Sequence, residues 1–123
     1  MLPLNGIRII SIEQYGAGPF ASLYLADMGA EVIKIETPGS GDNSRQSGPY
    51  FLGENDSHFF QTFNRSKKSL SLNLKADDGQ SILRELVQTA DAVMNNLRGD
   101  KPSELGLTYE ALSDIKHSII CLH

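Results

Sequence analysis

Residues 7–36 read IRIISIEQYGAGPFASLYLADMGAEVIKIE. Ile7-Arg8-Ile9-Ile10-Ser11 is a β-branched run that predicts a strand. Gly16-Ala17-Gly18-Pro19 breaks it, and Pro19 suits the first turn of a helix, where a missing N–H costs nothing. Phe20, Leu23, Tyr24 and Met28 recur at helical spacing and predict a helix of about ten residues, stopped by Gly29. Val32-Ile33-Lys34-Ile35 predicts a second strand. Short connections between the three elements require parallel strands and a right-handed crossover.

Beyond this unit, residues 37–57 are rich in turn formers and lack periodicity, so a long ordered loop is expected there. Ser69 to Asn73 alternates and predicts a strand. Asp77 or Asp78 is placed to cap a helix, with Gln80 completing a capping box from Asp77, and Ile82, Leu83, Leu86 and Val87 forming its buried stripe. Ala92-Val93-Met94 predicts a short strand, Pro102 to Leu105 one helical turn, residues 108–116 a helix capped by Thr108, and residues 118–122 a last strand. Such alternation predicts an α/β fold: a Rossmann-like, doubly wound, mostly parallel sheet with helices on both faces. A final strand at the chain's end, with nothing beyond it to cover the sheet, is the pattern expected of the N-terminal part of a larger domain.

The chain's 123 residues are enough for one domain, and its formal charge of −4 offers no overall basic face for nucleic acid. The single cysteine, Cys121, excludes an internal disulfide framework, and the N-terminus lacks the basic and apolar regions of a secretory leader. A cytoplasmic location without membrane spans is therefore expected. His58, His117 and His123 fall in separate elements, so no metal site is expected, and His58 is only a remote candidate base.

Three constellations carry possible chemistry. Gly16-x-Gly18-x-x-Ala21 follows a strand, opens a helix, and precedes Glu36 at the end of the next strand. This spacing fits a structural turn, a phosphate- or CoA-lining loop, or a dinucleotide site with Glu36 on a ribose. Arg65, Lys67, Lys68 and Lys75 gather four cations without an acid between Asn64 and Lys75, which suits either a phosphate-rich ligand or a solvated basic loop. Asn95-Asn96-Leu97-Arg98-Gly99 directly follows a strand, the end at which doubly wound folds bind ligands, although Asn and Gly also serve turns.

Several ordered stretches resemble the N-terminal part of family III CoA-transferases, the formyl-CoA and carnitine CoA-transferase type: Leu4-x-Gly6-Ile7-Arg8-Ile9, Ala17-Gly18-Pro19, Leu25 through Glu36, Gly41-Asp42-x-x-Arg45, Phe63-Asn64-Arg65-x-Lys67-Lys68-Ser69, Leu72-x-Leu74-Lys75, Ala90-Asp91 with Asn96, and Leu105-Gly106-Leu107-x-Tyr109. The resemblance implies transfer of CoA from an acyl-CoA thioester to a carboxylic acid through an aspartyl acyl intermediate. It also implies a longer subunit in an interlocked homodimer, with the nucleophilic aspartate beyond His123, so that residues 1–123 are by themselves inactive and hold no catalytic residue. An acyl-CoA racemase belongs to the same family. By position, the resemblance implies that Tyr15 and Gly16 border the thioester, Leu72 and Lys75 line the nucleotide part of CoA, and Asn96 and Leu97 lie near adenine and pantetheine. Thr37 and Glu104 stand where formyl-CoA transferases carry arginines, which makes Arg98 or Lys101 candidate replacements. Gly16 replaces a polar side chain of those enzymes, which argues against oxalate chemistry. Outside this resemblance, a dinucleotide-dependent oxidoreductase domain and a non-catalytic nucleotide-binding module remain the alternatives.

Overall fold

The computed structural model describes residues 1–123. Five parallel strands form the main sheet: β1 (Arg8–Ile12), β2 (Glu31–Glu36), β5 (Lys68–Ser71), β6 (Ala92–Asn95) and β7 (Ile120–Leu122), in the order β5-β2-β1-β6-β7. A hairpin of β3 (Phe51–Gly53) and β4 (Asp56–Ser57) stands apart. The helices are α1 (Ala17–Asp27), α2 (His58–Asn64), α3 (Asp77–Thr89), α4 (Lys101–Glu104) and α5 (Tyr109–Ser113). None is long and apolar enough to cross a membrane.

The period of two along the strands sorts residues between the faces. Ile10 and Ile12 of β1, Ile35 of β2 and Val93 of β6 join Leu83 and Val87 of α3 in one core, completed by Leu107, Leu112 and Ile119. Ile9, Val32 and Met94 point the other way and meet Ala26 of α1 and Ala30. Burial on both faces explains the apolar character of the inner strands β1, β2 and β6, while the edge strands β5 and β7 are largely exposed.

Several local expectations are revised. Phe20, Tyr24 and Met28 mark the helix α1 but not its buried side, since all three are exposed while Pro19, Ser22, Leu23 and Ala26 face inward. Phe20 instead stacks edge-on with Tyr24 and with Phe63 of α2, at centroid distances of 5.0 and 5.9 Å. Ile82 of α3 is exposed as well. No capping box forms at Asp77: the N-cap is Ala76, and the Gln80 amide donates to the carbonyls of Leu74 and Leu105 at 2.6 and 3.1 Å. Gln80 thereby ties α3 to the segment after α4, a use its local spacing does not reveal. The helix after Thr108 ends at Ser113, with no side-chain cap from Thr108. The loop expected over 37–57 contains a 3-10 turn (Asn43–Gln46) and the β3–β4 hairpin. Helix α2 escapes the pattern because it is short and aromatic-rich; its one local signal is Ser57, whose hydroxyl accepts from the Phe60 N–H at 3.0 Å.

The strand order places the topological switch between β1 and β6, because the chain leaves β1 toward β2 on one side and later returns to pair β6 on the other. Loops at the carboxyl ends of these two strands diverge and open a crevice.

Candidate functional site

A groove follows the carboxyl edge of the sheet. Its central compartment, about 360 Å³, is floored by Ile12, Ile35, Leu72, Leu74, Leu97 and Leu105, with Gln14, Thr37 and Lys75 at its polar margin. A second compartment, about 550 Å³, lies over the switch point and is lined by Gln14, Tyr15, Gly16, Asn43, Asn96, Leu97 and Arg98. A third, about 490 Å³, extends past Leu74 and Lys75 to Gln80, Lys101 and Glu104. Gln14 and Leu97 are common to the first two compartments, and Leu74, Lys75 and Leu105 to the first and third. All seven residues proposed from the sequence therefore line one groove: Tyr15, Gly16, Asn96 and Arg98 at one end, Leu72 and Leu97 in the middle, Lys75 toward the other end. Gln14, absent from that set, joins the end and the middle.

The turn from Gln14 to Gly16 is held from two sides. Asn96 Oδ1 accepts from the Gln14 N–H, and Asn96 Nδ2 donates to the Gln14 carbonyl, both at 2.9 Å. The Tyr15 N–H donates to Asp42 Oδ1 at 3.0 Å. Tyr15 has φ +68°, a left-handed conformation uncommon for a non-glycine residue, and its ring lies 4.9 Å from that of Phe59. Gly18 serves close packing rather than phosphate approach, because a Cβ there would stand 2.7 Å from the Glu13 Cβ and 2.9 Å from the Asn96 Cγ.

Beneath the turn lies a buried ionic layer. Asp42 and Lys34 pair with both side chains out of solvent, and Lys34 Nζ also donates to Asn64 Oδ1 at 2.8 Å. Lys67 Nζ donates to Glu13 Oε1 at 2.9 Å and to the Pro19 carbonyl at 2.8 Å, while Ser22 Oγ donates to Glu13 Oε1 at 2.6 Å. Burial pushes Lys67 below its ordinary value, against the opposing pull of Glu13. For Asp42, burial acts to raise the pKa, but Lys34 and the Ser44 hydrogen bonds prevail and hold it below the usual carboxylate value.

The basic cluster is thus no anion patch. Arg65 pairs with Asp27 at 2.6 Å, Lys67 with Glu13, and Lys68 with Glu31. Of its four cations only Lys75 is left unpaired at the groove. Glu36 is likewise unavailable as a ribose-binding acid: it is buried, Arg45 grips it with two hydrogen bonds, and Ser69 Oγ and the Asp42 N–H occupy it further. Glu104 pairs with Lys101 at an exposed position, which offsets part of its repulsion toward an anion in the third compartment. His58 lies on the hairpin side, with Nδ1 3.0 Å from the Tyr50 carbonyl, and does not line the groove.

The sequence model of CoA-transferase family III matches residues 4–123. Succinyl-CoA:glutarate CoA-transferase of Mus musculus is 44% identical over 98% of this chain and 28% of its own length. Succinate–glutarate CoA-transferase of Agrobacterium fabrum is 42% identical over 96% of this chain and 31% of its own. Among solved structures, a CAIB/BAIF family protein from Brucella suis superposes with TM-score 0.90 at 34% identity, covering 98% of this chain and 32% of that one. The chain thus spans less than a third of the length of these relatives.

Proposed function

Because the chain belongs to CoA-transferase family III, we propose that it forms the CoA-binding part of an enzyme moving CoA from an acyl-CoA thioester to a carboxylic acid. The single observation that carries this is the order of compartments along the groove. The Gln14–Gly16 turn at one end, an apolar middle, and the unpaired Lys75 beside Lys101 at the other end match, in sequence, a thioester arm, pantetheine and a phosphorylated nucleotide.

In this reading Tyr15, Gly16 and Arg98 face the acyl end, Leu72 and Leu97 the arm, and Lys75 a phosphate, while Asn96, for which the resemblance implied a place near adenine and pantetheine, sits at the acyl end with its amide engaged by Gln14 and holds the turn. The acyl group passes to an aspartate carboxylate outside residues 1–123, giving a mixed anhydride and CoA thiolate; the thiolate attacks the aspartyl carbonyl and releases the donor acid, leaving an aspartyl-CoA thioester. The acceptor carboxylate displaces the thiolate to form a second anhydride, and thiolate attack on the acceptor carbonyl gives the new acyl-CoA and frees the aspartate. The carboxylates bordering the central compartment, Glu13 and Glu36, support a nucleophile elsewhere: both are spent on cations, Lys67 and Arg45. In the same reading the complete enzyme is a cytoplasmic homodimer, with short dicarboxylates such as succinate and glutarate as the first acceptors to test, given the names of the relatives.

The test is calorimetric titration of CoA into the protein, with and without Lys75→Ala. Loss of a charge-assisted phosphate contact is expected to weaken binding about tenfold or more. Unchanged affinity would remove Lys75 from the site, and no binding by the unaltered protein would remove the assignment.

A further inference from the structure

Gly41-Asp42-x-x-Arg45 is part of the ordered pattern described above, yet Asp42 does not itself line the groove. Its carboxylate is fully buried, accepts from the backbone of Tyr15 at 3.0 Å and of Ser44 at 2.8 Å, and is charge-balanced by Lys34. Asn96 borders the groove, but its amide oxygen and nitrogen are each engaged by Gln14. Lys67 joins Glu13 to the Pro19 carbonyl, so the two flanks of the same turn are tied together from below. Between these ties Tyr15 keeps its left-handed backbone, which a tyrosine holds only where its surroundings over-determine it.

From this we infer that Asp42 and Asn96 are positioning residues for the Gln14–Gly16 turn: they preset its conformation before a ligand arrives, and they act through the turn rather than by touching the ligand. Presetting removes an ordering cost from binding, so their loss weakens whatever the turn itself contacts. The inference rests on the proposed CoA site, in which the turn meets the thioester end and Lys75 the nucleotide end.

Asn96→Ala is the first variant, since Asn96 is exposed and lies outside the buried charge layer. Asp42→Asn is the second, and Asp27→Asn, which breaks only the exposed pair with Arg65, is the control. Amide hydrogen exchange is measured on the free proteins. Affinity is measured for acetyl-CoA and for adenosine 3′,5′-bisphosphate, which carries the nucleotide end without the arm. Expected for Asn96→Ala are faster exchange at Gln14, at least a tenfold loss of acetyl-CoA affinity, and unchanged affinity for the bisphosphate. Asp42→Asn is expected to act in the same way at Tyr15, and the control to change nothing. An equal loss for both ligands would mean general destabilisation and would overturn the inference, as would unchanged exchange in a folded Asn96→Ala protein. Should Asp42→Asn fail to fold, the Asn96→Ala result decides. If the unaltered protein binds neither ligand, the CoA site itself fails; the exchange rates then judge the holding of the turn separately, with unchanged rates overturning that as well.

Discussion

The Arg45 guanidinium lies on the buried Glu36 carboxylate through two hydrogen bonds, from Nε at 2.7 Å and from Nη2 at 2.8 Å. Burial alone would raise the Glu36 pKa, but Arg45, Ser69 and the Asp42 N–H together hold it below the usual value. A carboxyl group with a depressed folded-state pKa contributes stability above its unfolded pKa and loses it as pH falls through the folded value. Glu36→Gln is therefore expected to destabilise the protein by about 2 kcal/mol at neutral pH, the loss of a charge-assisted pair. The gap between the two proteins should close as pH falls below about 4, the ordinary carboxylate range. Urea unfolding at pH 7 and at successively lower pH measures both effects.

The same pairing leaves no acid free for a nicotinamide ribose. Titration with NADH, followed by the dinucleotide's own fluorescence, should give no saturable change under conditions where CoA binds. Saturable binding of NADH that Glu36→Gln abolished would restore the dinucleotide site.

Glu104 is the one carboxylate at the phosphate end of the groove, and Lys101 only partly offsets it at this exposed position. Replacing it by glutamine should tighten CoA binding about two- to fivefold, most clearly at low ionic strength, where Coulomb terms are least screened. Weaker binding would mean that Glu104 orients Lys101 more than it repels phosphate.

Gly79 sits within α3, where alanine would ordinarily stabilise a helix by up to about 1 kcal/mol. Here a Cβ would stand 1.9 Å from the Asn73 carbonyl oxygen, a backbone atom that cannot swing away. Gly79→Ala should thus destabilise, by about 1–3 kcal/mol as other overpacked sites do, read as a lowered urea midpoint. The affected Asn73 belongs to the wall of the groove, so CoA affinity should fall as well.

Burial raises the Cys121 thiol above its ordinary value, and Glu110 adds to the effect. Since the thiolate is the reactive form, Cys121 should react slowly with a disulfide reagent at neutral pH and far faster once urea unfolds the chain. Equal rates would place the thiol in solvent.

Strands and most helices were legible because their signal is local. The β-branched runs at residues 7–11 and 32–35, and the spacing of Leu83 and Val87, report on neighbours two to four positions away, and apolar periodicity needs no knowledge of distant partners. The same signal marks α1 as a helix without telling which side is buried: Phe20 and Tyr24 are exposed, while the small Ser22 and Ala26 face inward. It missed α2 altogether, whose seven residues owe their helix to Ser57 and to packing against α1.

By itself, then, the sequence determined the alternating α/β pattern and the placing of Tyr15, Lys75 and Asn96 after strands, whereas Leu72, read as part of a strand, proves to follow β5, which ends at Ser71. It could not assign the charges. Lys67 and Glu13 are 54 positions apart, and Gln14 and Asn96 are 82 apart. Which lysine turns inward, which acid is consumed, and which amide holds a loop all depend on long-range contacts that only the folded sheet creates. That is why four clustered cations resolved into three ion-paired side chains and one, Lys75, free to meet an anion.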